Sequence, residues 1–139
     1  MKEEKKPSTC TKTMLRNAIL SRRPDFTLPF PIGNAKEMNI KINQISHIKS
    51  DGILSQVHFY NKKTKSITCT IGDCEEKLVE YAFLRAHRSY LINCSYIHNI
   101  TWERDGVIEL LGGDVIPTPR RRKEEVIEYL HRMNFTHLL

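Results

Sequence analysis

The sequence of 139 residues lacks any apolar run approaching the ~18 residues that a membrane helix requires. Its first ten residues, MKEEKKPSTC, are charged, and no apolar segment of a secretory signal follows them. We therefore expect a cytoplasmic protein without a membrane span. A chain of this length with 40% hydrophobic residues can bury one ordinary core, which predicts a single compact domain.

Cysteine is scarce, and its spacing matches no disulfide framework. The four cysteines, Cys10, Cys69, Cys74 and Cys94, include no C-x-x-C pair. A zinc site built from Cys69, Cys74, Cys94 and His98 is an alternative that the spacings do not favour, since they match no zinc finger or knuckle. We expect reduced thiols within strands, no metal and no cofactor.

Clustered carboxylates are also missing from the centre of the chain. Each of the four Asp residues between 50 and 115 stands beside a glycine, as tight hairpin turns require. These pairs are Asp51-Gly52, Gly72-Asp73, Asp105-Gly106 and Gly113-Asp114. Carboxylates in separate turns are not expected to converge on a metal ion. A nuclease using His87, His98 and an Asp is therefore a disfavoured alternative, and we predict that the protein is not an enzyme.

The net charge of +6 is unevenly distributed along the chain. Residues 1–24 hold seven Lys or Arg against two Glu, which leaves only +1 for the remainder. We predict that residues 1–25 form a flexible basic arm that could include one short helix, and that residues 26–139 form the folded domain. Nucleic-acid binding by that domain would have to depend on local clusters rather than on net charge.

Short segments of alternating or β-branched residues, separated by turn residues, dominate from Phe26 onward and predict a mainly β domain. They are residues 26–32, 37–50, 55–61, 66–72, 95–103 and 106–111. Two helices are predicted among them. The first covers about residues 74–83 with Glu75 and Glu76 in its first turn. The second begins near Thr118, the predicted N-cap, and carries an apolar stripe that includes Val126 and Leu130.

Two basic clusters are candidates for function. Residues 83–97, FLRAHRSYLINCSYI, carry Arg85, His87 and Arg88 in an otherwise apolar run, although nearby acids such as Glu80 are alternative partners for Arg85 and His87. Residues 120–123, RRRK, fall at the predicted start of the second helix, where cations oppose the helix dipole. A bound phosphate would offset that repulsion, whereas a solvated charge run is the alternative. Two such clusters suit the reading of duplex DNA, with some arginines on phosphates and others on guanine edges.

The run FLRAHRSYLINCSYIHNI, followed downstream by GGDVIPTPRRRKEEVIEYL, resembles the LytTR DNA-binding domain of bacterial transcription regulators. The resemblance extends over roughly residues 28–132. It implies an elongated domain of small antiparallel sheets, with a short central helix and a C-terminal helix, that places loops in successive major grooves. An RNA-binding or protein-interaction module is the alternative that a β-rich pattern alone leaves open.

The resemblance also implies contact residues and partners. By position the DNA contacts are predicted at Ser55, Gln56, His87, Arg88, Arg120, Arg121 and Lys123. The implied partners are promoter duplex DNA, a second copy of the chain on adjacent direct repeats, and a membrane inhibitor protein. Many family members have a receiver domain upstream, but 25 to 30 residues are too few for one. We expect either a stand-alone regulator or a piece of a response regulator.

Overall fold

The computed structural model describes residues 27–139, and the predicted arm at residues 1–25 lies outside them. The strands of the described part are β1 (Thr27–Gly33), β2 (Lys36–Lys41), β3 (Ile45–Asp51), β4 (Leu54–Phe59), β5 (Thr64–Ile67), β6 (Phe83–His87), β7 (Tyr90–Asn93), β8 (Ile97–Trp102), β9 (Gly106–Leu110) and β10 (Val115–Thr118). The helices are α1 (Ile71–Lys77) and α2 (Lys123–Arg132). Neither helix has the length and apolar character needed to span a bilayer.

The strands form three antiparallel sheets. Strands β1 and β2 form a hairpin, a five-stranded sheet has the order β5-β4-β3-β7-β6, and a three-stranded sheet has the order β10-β9-β8. Each pair of hydrogen-bonded neighbours is antiparallel. The prediction of a mainly β domain with small antiparallel sheets, a short central helix and a C-terminal helix is confirmed.

The five-stranded sheet separates two hydrophobic cores. Because side chains alternate between faces along a strand, Ile48, Val57 and Leu91 lie on one face, where they pack with the β1–β2 hairpin and α1. Leu84 and Ile92 lie on the other face, in the core shared with the three-stranded sheet and α2. Burial of each such side chain stabilises the fold by about 1.5–3 kcal/mol. Both cores therefore hold the central sheet in place.

The first helix begins earlier than the sequence predicts. It covers Ile71–Lys77 rather than residues 74–83, because Thr70 caps it by accepting a hydrogen bond from the Asp73 amide at 3.1 Å. Ala82 has a left-handed φ of 58°, which a continuing helix cannot accommodate. Glu75 and Glu76 consequently lie in the second half of α1, and Asp73 is the acidic residue of its first turn.

The second helix begins later than predicted. Arg120–Arg122 form a 3₁₀ turn, and α2 starts only at Lys123. Thr118 is the buried end of β10, and its hydroxyl donates to the Ala86 carbonyl at 2.6 Å instead of capping a helix. The first turn of α2 holds Glu124 and Glu125, whose charges suit the dipole. These two carboxylates follow directly on Arg122, the N-cap residue, and Lys123, the first residue of α2.

The glycines that accompany Asp have three different roles. Gly52 and Gly113 have φ of 70° and 97° in the turns after β3 and β9, as hairpin turns require. Gly72 lies inside α1, so the prediction of a hairpin there is wrong. Gly106 is needed for close approach, since a Cβ there would lie 2.4 Å from the Trp102 ring and 2.5 Å from the Thr118 methyl group.

Candidate nucleic-acid interface

The turn between β6 and β7 presents His87 and Arg88 from a tightly braced backbone. The Arg85 guanidinium donates to the His87 carbonyl at 3.2 Å and to the Arg88 carbonyl at 2.7 Å. Its remaining terminal nitrogen donates to Glu75 Oε1 at 2.7 Å. The Ser89 amide donates to His87 Nδ1 at 3.0 Å. Arg85 is thus used inside the protein, while the Arg88 side chain is exposed.

The arginine turn Arg120–Arg122 lies beside this hairpin. The hydrogen bond from Thr118 to the Ala86 carbonyl joins the end of β10 to β6. Arg122 donates to the Arg85 carbonyl at 3.2 Å, which adds a second link four residues further along the chain. Residues that are more than thirty positions apart in sequence therefore form one surface.

Arg120 is attached to the turn between β8 and β9. Its amide donates to Asp105 Oδ1 at 3.0 Å, and its guanidinium donates to the carbonyl groups of Glu103 and Arg104, both at 3.1 Å. Arg121 is exposed, and within residues 27–139 no hydrogen bond or ion pair engages its guanidinium. The two neighbouring arginines therefore differ: one stabilises a turn and the other is available to a ligand.

Lys123 lies over an aromatic ring. Its ammonium is 5.7 Å from the centroid of the Trp102 ring, within the range of a cation–π contact. The Trp102 ring packs closely against Gly106, so Lys123 lies over a ring that is held in place. Lys123 is half-buried and lies at the border of the arginine turn.

The electrostatics of His87 show that the basic groups converge. The pKa of His87 is lowered, first by burial and then by the positive charges of Arg88, Arg122, Arg121 and Arg85. The ring is therefore expected to be neutral near pH 7. Since Nδ1 accepts the Ser89 amide, the neutral ring carries its proton on Nε2. We call His87, Arg88, Arg120, Arg121 and Lys123 the basic surface.

The two predicted contact residues on β4 have different environments. Ser55 is 1% exposed, and its hydroxyl donates to the Cys69 carbonyl at 2.6 Å on the side of the first core. Gln56 is half-buried and faces the opposite side of the sheet. It pairs with Lys49 of β3, which in turn pairs with Tyr90 beside the β6–β7 turn. Gln56 therefore shares a face with the basic surface, whereas Ser55 is covered.

Sequence reasoning missed the bracing role of Arg85 and Arg122. Arg85 pairs with Glu75, ten positions earlier, rather than with the predicted alternative Glu80. The sequence groups Arg122 with the other cations of residues 120–123, but in the fold it donates to the Arg85 carbonyl of β6. No local spacing indicates either contact, because both depend on how separate elements pack.

The described residues hold no group of three or more His, Cys, Asp or Glu side chains that could bind a metal ion. Cys69 and Cys74 are buried in the first core and Cys94 in the second. Burial raises the pKa of the Cys74 thiol to about 12, so the thiolate that zinc requires is disfavoured there. His98 is exposed on β8, away from the core cysteines.

Comparison with known protein families matches residues 35–131 to the LytTr DNA-binding domain. The chain belongs to this family, whose members are DNA-binding domains rather than enzymes. The chain is 32% identical over 99 residues to the sensory transduction protein LytT of Oceanobacillus iheyensis, a match that covers 68% of this chain and 40% of that protein. The chain thus spans less than half the length of this relative.

A solved structure has a similar fold. It is the LytTr DNA-binding domain of a Bacillus cereus protein described as a methyl-accepting/DNA response regulator. The superposition covers 75% of this chain and 95% of that domain, with a TM-score of 0.63 and 14% sequence identity. This likeness confirms the fold that the sequence motifs predict.

Proposed function

We propose that this chain is a transcription regulator that recognises a specific sequence in promoter duplex DNA by placing turns in the major groove. The observation that supports it best is the convergence of His87, Arg88 and Arg121 on one surface with braced backbones. Arginine forks read guanine O6 and N7 in the major groove, and they also bind phosphate oxygens in bidentate geometry. Family membership supports the DNA-binding class.

The residues of the basic surface would divide the contacts. Arg88 and Arg121 are the base-reading or phosphate-binding forks, since no partner within residues 27–139 engages them. Neutral His87 offers a donor at Nε2 to a base acceptor or a phosphate. Arg120 and Lys123, each already engaged by a turn or a ring, suit phosphates at the border. Gln56 supplies an amide on the same face, whereas buried Ser55 is left out of the proposal.

The footprint of one domain supports binding as a pair. A few short reading segments cover about one helical turn, which falls short of the ~10⁻⁸ M affinity typical of regulators. Two copies on direct repeats separated by whole turns would lie on one DNA face and combine their binding energies. The proposal includes a cytoplasmic location, and a membrane inhibitor protein stays a prediction of the family resemblance.

The decisive experiment selects binding sites from a random pool of DNA duplexes and then measures affinity for the selected sequence. Arg88→Ala and Arg121→Ala should each weaken specific binding by about 1–3 kcal/mol without lowering the melting temperature. Arg132→Ala is the matched control, because Arg132 is an exposed arginine at the far end of α2, stacked on Tyr129. Failure to select any sequence, or equal effects of all three variants, would contradict the proposal.

The stoichiometry is tested with gel-shift titrations on a duplex that carries two selected repeats. We expect two successive complexes, and the cooperativity should vanish when half a helical turn is inserted between the repeats. A structured RNA should compete poorly, because its deep narrow major groove excludes these turns. A stable dimer in sedimentation without DNA, or indifference to the insertion, would refute the paired-monomer arrangement.

A further inference from the structure

A single row of side chains crosses the five-stranded sheet next to the basic surface. In the strand register His87 pairs with Tyr90, Tyr90 with Lys49, Lys49 with Gln56, and Gln56 with Ser66. Residues directly opposite each other in an antiparallel sheet project from the same face, with Cβ atoms about 4.5–5.5 Å apart. The row therefore continues from the β6–β7 turn to the far edge of the sheet.

Side-chain contacts confirm that the first three members of the row, His87, Tyr90 and Lys49, share one face. The His87 and Tyr90 rings meet edge to face with centroids 5.6 Å apart, and the Lys49 ammonium lies 5.9 Å from the Tyr90 centroid. Ile48 and Val57, the chain neighbours of Lys49 and Gln56, project from the opposite face and are fully buried in the first core. Lys49 is exposed, so its charge reaches solvent although the same face carries Ile92 of the second core.

The chemistry of the row suits a phosphate backbone. Tyr90 and Ser66 carry hydroxyl groups and Gln56 an amide, which are donors that proteins commonly use on phosphates. Lys49 is the cation of the row, and within the described residues no carboxylate forms an ion pair with it. By strand alternation the exposed Asp51 lies two positions further along the same face, and it marks the end of the favourable surface.

The spacing of the strands agrees with the width of the DNA major groove. Strands are about 4.7–4.9 Å apart, so Lys49 lies two spacings, about 10 Å, from the strand of His87. The major groove of B-DNA is about 12 Å wide. With the β6–β7 turn in the groove, the flexible side chain of Lys49 would reach the phosphates that border it.

We propose that Lys49, held over Tyr90, binds a DNA phosphate and extends the interface along this row toward Ser66. The inference rests on the proposed function, because it places Lys49 against the same duplex that the basic surface contacts. It adds a contact residue that neither the sequence motifs nor the arginine turn indicates.

The test measures binding of the full chain to a mixed-sequence duplex of about three helical turns, from about 50 to about 200 mM salt. Lys49→Gln should reduce the slope of log affinity against log salt by about 0.9 and weaken binding several-fold, as the loss of one phosphate contact predicts. The melting temperature should not change. Lys49→Arg should restore most of the binding.

Lys65→Gln is the matched control. Lys65 pairs with Val57, so it belongs to the same sheet but projects from the opposite face. Its removal should leave the slope unchanged. If Lys49→Gln binds like the wild-type protein while Arg121→Ala is weakened, the inference is overturned and the proposed function stands. Equal losses for the two lysine variants would also overturn it. If the wild-type chain itself fails to bind duplex DNA, the proposed function fails.

Discussion

Replacement of Arg85 by alanine should show that DNA binding depends on the bracing of the β6–β7 turn. The variant loses two hydrogen bonds to the carbonyl groups of His87 and Arg88 and the ion pair with Glu75. The His87 carbonyl lies at the end of β6 and the Arg88 carbonyl lies in the turn itself, so both hydrogen bonds tie the turn to the Arg85 side chain. We therefore expect lower stability together with weaker DNA binding, although Arg85 itself touches no DNA in the proposal.

The expected loss of stability follows from the solvent exposure of Arg85 and of its partner Glu75. The Arg85 side chain is 23% exposed and that of Glu75 is 47% exposed, so solvent screens the ion pair and limits it to at most ~1 kcal/mol. Hydrogen bonds from a charged donor contribute about 1.5–3 kcal/mol each when buried, and less where water can replace the donor. A net loss of about 2 kcal/mol is the expectation, and it corresponds to a melting temperature lower by about 8 °C for a domain of this size.

The assay combines thermal unfolding with affinity for the selected duplex, measured at a temperature where every variant is folded. Arg85→Ala should change both quantities, whereas Arg88→Ala should change affinity alone. Glu75→Gln is the control for the ion pair and should cost less than about 1 kcal/mol. An Arg85→Ala variant with an unchanged melting temperature and weakened binding would refute the bracing role, because it would show that Arg85 contacts DNA directly.

Three further predictions concern the arm, a close approach and acid stability. Deletion of residues 1–24 should lower the salt dependence of DNA binding by several units and keep the preferred sequence, and loss of that preference in site selection would contradict the prediction. Gly106→Ala should cost about 1–3 kcal/mol by overpacking, whereas Gly72→Ala, with only ordinary contacts, should not destabilise; equal melting temperatures would contradict this. Burial lowers the pKa of His58. It also lowers the pKa of His47, whose ring stacks on that of His58 with centroids 4.4 Å apart, to about 4. In acid the unfolded chain therefore binds more protons than the folded one. The free energy of unfolding should fall by up to about 3 kcal/mol because of His47 as the pH drops from 6.5 to 4. A denaturant midpoint that stays constant over this pH range would contradict the prediction.

The parts of the fold that the sequence predicts are those set by local pattern. Alternation along each strand and the glycines at Gly52 and Gly113 indicate hairpins because neighbouring residues alone determine them. The predicted helix boundaries were wrong because Thr70 follows directly on a strand-like run and because Thr118 ends strand β10 instead of starting a helix. The Thr118 hydroxyl donates to the Ala86 carbonyl, a contact that depends on the packing of β10 against β6 and that no local pattern indicates.

The sequence predicts which residues belong to the candidate site, but it does not predict which of their side chains are left free for a ligand. Sequence reasoning finds the arginines of both clusters, because charged residues in an apolar run or at a helix start need a partner. It cannot tell which of them find that partner inside the protein. Arg122 and Arg120 bond carbonyls at positions 85 and 103–104, and such distant pairs follow from the tertiary fold.

This division between bracing and exposed arginines has a physical reason. Backbone carbonyls in turns lack ladder partners, and a guanidinium offers five donors that can satisfy several of them at once. Arg85 and Arg120 each donate to at least one such carbonyl, and Arg122 donates to the Arg85 carbonyl of β6, so the turns that hold Arg88 and Arg121 are already ordered. Binding then costs less conformational entropy, since only the exposed side chains need to be immobilised on DNA. Lysine at a bracing position would keep the charge but satisfy fewer carbonyls, so charge alone does not explain arginine there.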